Sequence, residues 1–150
     1  MTPPPYRNRQ AGLWWLVLGS LAVGCAVAVV QLWSDDVAVV ICLPLAVLFA
    51  WLAGSFAWLE IREEGEHLLA RFGPLPLARR RIAYERVHAV KRDRSMLIEG
   101  WGVRLGPRGW IWNIWGREVV ELELEKGRVR IGTDDPEGLV RLLEQRCSLS

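Results

Sequence analysis

The chain has 150 residues, 51% of them hydrophobic, with 19 Lys and Arg against 17 Asp and Glu. A net charge of +2 argues against a nucleic-acid binder, and three cysteines without metal-ligand spacing argue against a disulfide framework or a cysteine metal site. The balance hides a split, because residues 1–59 carry only Arg7 and Arg9 against Asp35 and Asp36. Two solvents are implied, one for each part of the chain.

Residues 1–10 read as a short cytoplasmic tail and residues 11–58 as a membrane α-helical hairpin, with spans at 12–33 and 37–58. About 20 apolar residues at 1.5 Å rise cross a hydrocarbon core of about 30 Å. The first run is longer than the apolar core of a signal peptide, and no Ala-x-Ala site precedes Asp35. Only Ser34, Asp35 and Asp36 separate the spans, so the helices are expected to be antiparallel neighbours.

Ser20, Gly24 and Ala28 recur every four residues in the first span, and Ala46, Ala50 and Gly54 in the second. Such stripes permit close backbone approach, either between the two helices or across a dimer. Pro44 removes a backbone donor and predicts a bend. Arg7 and Arg9 before the first span, an acidic connection, and Arg62, Arg71 and Arg79 to Arg81 after the second place both termini inside. Trp14, Trp15 and Trp58 then fall at the inner boundary and Trp33 at the outer, where indoles favour the headgroup level.

From Trp58 the apolar period changes to two, and with no Gly/Ser-rich linker the soluble part, residues 59–147, is held close to the membrane. It reads as α+β and mostly β, with about seven antiparallel strands and a terminal helix. Strands are expected through 58–64, 66–72, 77–82, toward Lys91, and over 97–104, 109–115, 118–125 and 128–133. In the 118–133 hairpin, a Lys126-Gly127 turn would set Glu125 opposite Arg128, Glu123 opposite Arg130, Leu124 opposite Val129 and Leu122 opposite Ile131. Charges would then share one face and apolar residues the other. Thr133-Asp134-Asp135-Pro136-Glu137 is a helix start, with Asp135 as cap, and Leu139, Leu142 and Leu143 share the following helix face. A small barrel or orthogonal sandwich plugged by that helix is the expected architecture.

That architecture, with Gly100-Trp101-Gly102-Val103-Arg104, the Arg108-Gly109-Trp110 turn and Arg130-Ile131-Gly132-Thr133-Asp134-Asp135-Pro136-Glu137, resembles the bacterial pleckstrin-homology-like domain family over roughly residues 58–147. The resemblance implies a multi-pass protein of the bacterial inner membrane, in a family whose members mostly carry no assigned activity. It supplies no catalytic residues. Ile114 and Trp115, between Asn113 and Gly116, depart from it by their bulk.

No Ser/His/Asp, Cys/His or paired-carboxylate pattern stands out, His67 and His88 lie in no ligand motif, and Gly100-Trp101-Gly102 lacks the rest of a phosphate loop. An enzyme, a metal and a cofactor are therefore not expected. The basic run of Arg79, Arg80, Arg81, Arg86, Lys91, Arg92 and Arg94 outweighs Glu85 and Asp93 and suggests contact with anionic lipid headgroups or an acidic partner; its plainer reading is a solvated strand face. Trp101, Trp110, Trp112 and Trp115 exceed the needs of a small core, and Trp112 and Trp115 are the expected aromatic contacts. The expected function is a membrane-anchored, non-enzymatic interaction module for headgroups or another membrane protein, a second copy included. The alternative is an accessory subunit of a transporter or envelope-assembly complex.

Overall fold

The computed structural model describes residues 5–75, 78–95 and 102–147. Leu77, at the start of the expected 77–82 strand, and residues 97–101 of the expected 97–104 strand, Trp101 among them, lie outside the described residues. The chain opens with strand β1 (Arg7–Ala11), then helices α1 (Trp14–Gln31) and α2 (Asp36–Ser55). Strands β2 (Trp58–Glu64), β3 (His67–Phe72) and β4 (Arg79–Ala83) follow, then a 3-10 turn (Tyr84–Arg86) and β5 (Val87–Arg94). The remainder is β6 (Gly102–Gly106), β7 (Gly109–Asn113), β8 (Glu118–Leu124), β9 (Gly127–Gly132) and helix α3 (Pro136–Arg146).

Both α1 and α2 are long and apolar enough to cross a membrane, and little of either is covered by the rest of the protein. Asp35 caps α2, its Oδ1 accepting from the Val37 and Ala38 amides at 3.1 and 3.2 Å. Pro44 lies inside α2 without ending it. The helices pack through the buried Val29 and half-buried positions such as Leu18, Ala22 and Cys25 in α1 and Val39, Cys42, Ala46 and Phe49 in α2. Only part of each small-residue stripe joins this face. Ser20 and Gly24 are exposed, and a Cβ on Gly24 would meet no atom within 4 Å. Ala28 and Ala46 are half-buried, Ala50 is exposed, and Gly54 faces Leu75 of the turn after β3. Each step of four residues advances about 40° around a helix of 3.6 residues per turn, so such a stripe winds off the contact.

The main correction concerns the amino terminus. Instead of a tail, Arg7–Ala11 forms a strand antiparallel to β2, with Arg7 opposite Arg62 and Ala11 opposite Trp58. The chain thus leaves one sheet, runs out and back through α1 and α2, and re-enters beside its exit strand. The helices are shorter than the expected spans, since Trp58 already begins β2.

Two sheets result, ordered β1-β2-β3-β4 and β5-β8-β9-β7-β6. The described strands exceed the expected seven, and β7 pairs with β9 in parallel, unlike an all-antiparallel meander. Leu59, Ile61, Leu68, Phe72 and Ile82 from the first sheet meet Trp112, Val120, Leu122, Val129 and Ile131 from the second, and Leu139 and Leu143 of α3 close the core. Burying each such side chain contributes about 1.5–3 kcal/mol.

The β8–β9 hairpin is shifted by two residues from the expected register: Glu123 faces Arg128, Leu122 faces Val129 and Glu121 faces Arg130. Leu124 pairs with Gly127, so the two-residue turn is Glu125-Lys126, one position earlier than expected, and Gly127 opens β9 in the left-handed region at φ +90°. The alternation survives, but its polar face is solvated only at the hairpin tip, where Glu123 and Arg128 are exposed. Arg130, Val119 and Ile111 on that side are buried as completely as the core.

Candidate anion-binding surface

Cross-strand pairing places Arg9, Glu60, Arg71 and Arg79 in one row across the first sheet, on the face away from the core. The next row holds Arg7, Arg62, Leu69 and Arg81. Sequence reading found only Arg79 and Arg81 of this face, because the other arginines come from strands separated by the helical hairpin or by turns. The first row lies two residues, about 7 Å at 3.3 Å per residue, beyond the Ala11–Trp58 pair that stands nearest the helical hairpin.

Glu60 organises the row. Its carboxylate, 1% exposed, accepts from Arg7 Nε at 2.6 Å and is paired with Arg71 Nη2 at 3.1 Å. The Arg9 guanidinium lies 4.3 Å from the centroid of the Trp58 ring and that of Arg71 5.1 Å, both within cation–π range. Further from the helices, Glu64 receives Arg62 and Arg81, the latter at 3.1 Å. The hydrogen bond from Arg62 is the main cause holding the Glu64 carboxyl below its ordinary pKa. Arg79 has no ionic partner among the described residues. The face therefore carries more guanidinium than its two carboxylates neutralise, and suits phosphate oxygens.

The rest of the predicted basic run does not join this surface. Alternation along β4 turns Arg80 to the side of Ile82, where it lines a cleft with Arg86. On β5, Arg92 pairs with Glu137 at 3.0 Å and Glu118 at 3.5 Å, and Arg94 pairs with Glu118 at 2.8 Å. Lys91 is exposed opposite Glu121. The seven residues divide among three places because strand alternation and the step between sheets separate sequence neighbours.

The tryptophans divide as well. Trp112 belongs to the core, 5.9 Å from the Phe72 ring, which removes it as a surface contact. Trp115 stays 39% exposed, and its backbone oxygen accepts from Gln10 Nε2 at 2.9 Å. Trp110 is exposed to a similar degree. A mostly apolar cavity of about 390 Å³ lies where the helices meet the sheets, lined by Trp14, Leu18, Leu52, Phe56, Ile114 and Arg104 beside Gly102. Among the described residues no group of His, Cys, Asp and Glu is arranged to hold a metal ion.

Against known proteins, the chain matches no family model, no curated protein and no solved structure.

Proposed function

We propose that this chain is an integral membrane protein whose soluble part is a non-catalytic interaction module of the bacterial pleckstrin-homology-like kind, binding anionic lipid headgroups at the cytoplasmic face. The observation that supports it is the row of Arg9, Arg71 and Arg79 directly beyond the ends of two apolar helices. Helices that cross the inner membrane bring this row to the headgroup layer, where each basic residue gains about 1 kcal/mol of attraction to an anionic surface. The excess of Lys and Arg on that side orients both termini inward.

The test is native mass spectrometry of the full chain in mild detergent, titrated with phosphatidylglycerol or phosphatidylcholine. The chain should retain phosphatidylglycerol preferentially, and Arg9→Gln with Arg79→Gln should erase the preference. A preference that survives both changes removes the headgroup reading. A reporter fused after Ser150 that reads on the outer side would overturn the orientation.

A second reading, an accessory subunit of a membrane complex, is favoured by one observation: Ser20 and Gly24 leave an open, small-residue strip on the outside of α1. A neighbouring helix can approach the backbone closely there. Cysteine crosslinking at Gly24 in native membranes, giving one stoichiometric adduct, would support it.

A further inference from the structure

Arg80 leaves the surface that its neighbours build. It projects from β4 on the side of Ile82, which is 4% exposed, so Arg80 stands where the core ends and the gap between the two sheets opens. Arg86, from the 3-10 turn, and Leu124, Glu125 and Lys126, from the tip of the β8–β9 hairpin, complete a cleft of about 320 Å³ with it. The backbone amide of Glu125 donates to the Arg86 oxygen at 3.3 Å, which ties the hairpin tip to the turn and fixes the cleft's two walls together.

The charges in this cleft do not balance. Arg80, Arg86 and Lys126 face a single lining carboxylate, Glu125. None of the three cations has an ionic partner among the described residues. Arg80 is half-buried, and partial loss of water lowers its pKa from the ordinary guanidinium value. A guanidinium removed from water is costly until an anion with hydrogen-bond acceptors meets it. A phosphate supplies both, because its oxygens match the fork of an arginine and its second charge offsets the remaining excess.

We propose that the cleft between β4 and the β8–β9 tip is an anion site for a phosphomonoester group, carried by a lipid headgroup or by a soluble phosphate compound. Its volume falls at the lower end of the range for small-ligand sites, about 300–1,000 Å³. Arg80 and Arg86 grip the phosphoryl oxygens, Lys126 closes the rim, and Glu125 disfavours anions that bring no strong acceptor. None of these residues belongs to the row of Arg9, Arg71 and Arg79, so this site and the headgroup surface stand or fall separately.

The experiment is equilibrium dialysis of radiolabelled inorganic phosphate against the full chain in phosphatidylcholine nanodiscs, with chloride held at constant ionic strength. Saturable binding is expected. Arg80→Gln should weaken it about tenfold or more, the scale of one lost charged hydrogen bond; Lys126→Gln, at an exposed turn, should weaken it with the fold intact, and Arg79→Gln should leave it unchanged. Repeating the dialysis with phosphatidic acid in the nanodisc separates the sources: loss of phosphate binding assigns the site to a headgroup, and retained binding assigns it to a soluble phosphate. Absence of saturable binding, or binding indifferent to both Arg80→Gln and Lys126→Gln, overturns the site.

Discussion

The hydroxyl of Tyr6 donates to Oδ2 of Asp135 at 3.3 Å, joining two residues 129 positions apart in the chain. Asp135 meanwhile caps α3, its Oδ1 accepting from the Gly138 amide at 2.9 Å. The amino-terminal segment thus holds the start of the last helix. A second tie lies alongside, where Asn8 Nδ2 donates to Asp134 Oδ1 at 2.8 Å.

Replacing Tyr6 with Phe should therefore lower the stability of the full chain by about 0.5–1.5 kcal/mol, the net worth of one hydrogen bond. Asp135→Ala should cost about 0.5–2 kcal/mol through the lost cap. Because both changes remove the same hydrogen bond, the double variant should lose less than the sum. Denaturant titration of the four proteins in detergent closes the cycle, and strict additivity would mean that the contact contributes nothing.

Arg71 serves both Glu60 and Trp58, so Arg71→Met should destabilise more than its half-exposed position suggests. The change leaves the buried Glu60 carboxylate with Arg7 alone, at about 1–3 kcal/mol. Glu60→Gln, which keeps the shape and removes the charge, should restore part of the loss when combined with it. Thermal unfolding of the single and double variants measures the rescue.

Gly73 and Gly65 both take left-handed backbone, at φ +50° and +58°, yet alanine should separate them. At Gly65 nothing lies within 4 Å of the added carbon, and the cost should be only the conformational penalty of about 1–2 kcal/mol. At Gly73 that carbon would sit 2.3 Å from the Ser55 carbonyl oxygen, where α2 ends against the first sheet. Gly73→Ala should therefore lose distinctly more than Gly65→Ala, and equal midpoints in urea would contradict this packing.

The pH dependence has two flanks. Hydrogen bonds from Arg62 to Glu64 and from Arg94 to Glu118 are the leading causes that depress those carboxyls. Their stabilisation is present above the unfolded carboxylate range, about 4.3, and is lost as pH falls through the lower folded values. Burial, first, and the Asp135 charge, second, raise the Tyr6 hydroxyl's pKa. The neutral phenol is thus favoured in the fold, and stability should fall as pH rises above about 10. Burial raises the Tyr84 hydroxyl's pKa as well, and Glu64 shares the acid flank, so Glu118→Gln should shallow the acid flank and Tyr6→Phe the alkaline one without abolishing either, as read by unfolding midpoints across pH.

The two apolar helices were legible from composition, and Asp135-Pro136 marked the start of α3 because capping chemistry is local. Strand β1 was hidden. Arg-Asn-Arg-Gln-Ala has no apolar alternation, and the strand that accepts it lies beyond the whole helical hairpin. The β8–β9 register was missed by two residues because alternation fixes which face a residue takes and leaves even shifts equivalent until the loop conformation at Gly127 chooses. The arginine row shares that difficulty. Arg9, Arg71 and Arg79 come from three strands, so only pairing reveals them, whereas the contiguous Arg79 to Arg81 run is split by the alternation of β4.

The pairing of β1 with β2 also sets a mechanical constraint. Each strand continues into one helix, so the ladder from Arg7–Arg62 to Ala11–Trp58 acts as a clasp across the open end of the helical hairpin. For α1 to slide along α2, or for their ends to splay apart, the rungs of this clasp must break. A load on the helices falls first on the Ala11–Trp58 rung and then, two residues further along, on Arg9–Glu60, so that movement among the helices is coupled to the arrangement of the arginine row.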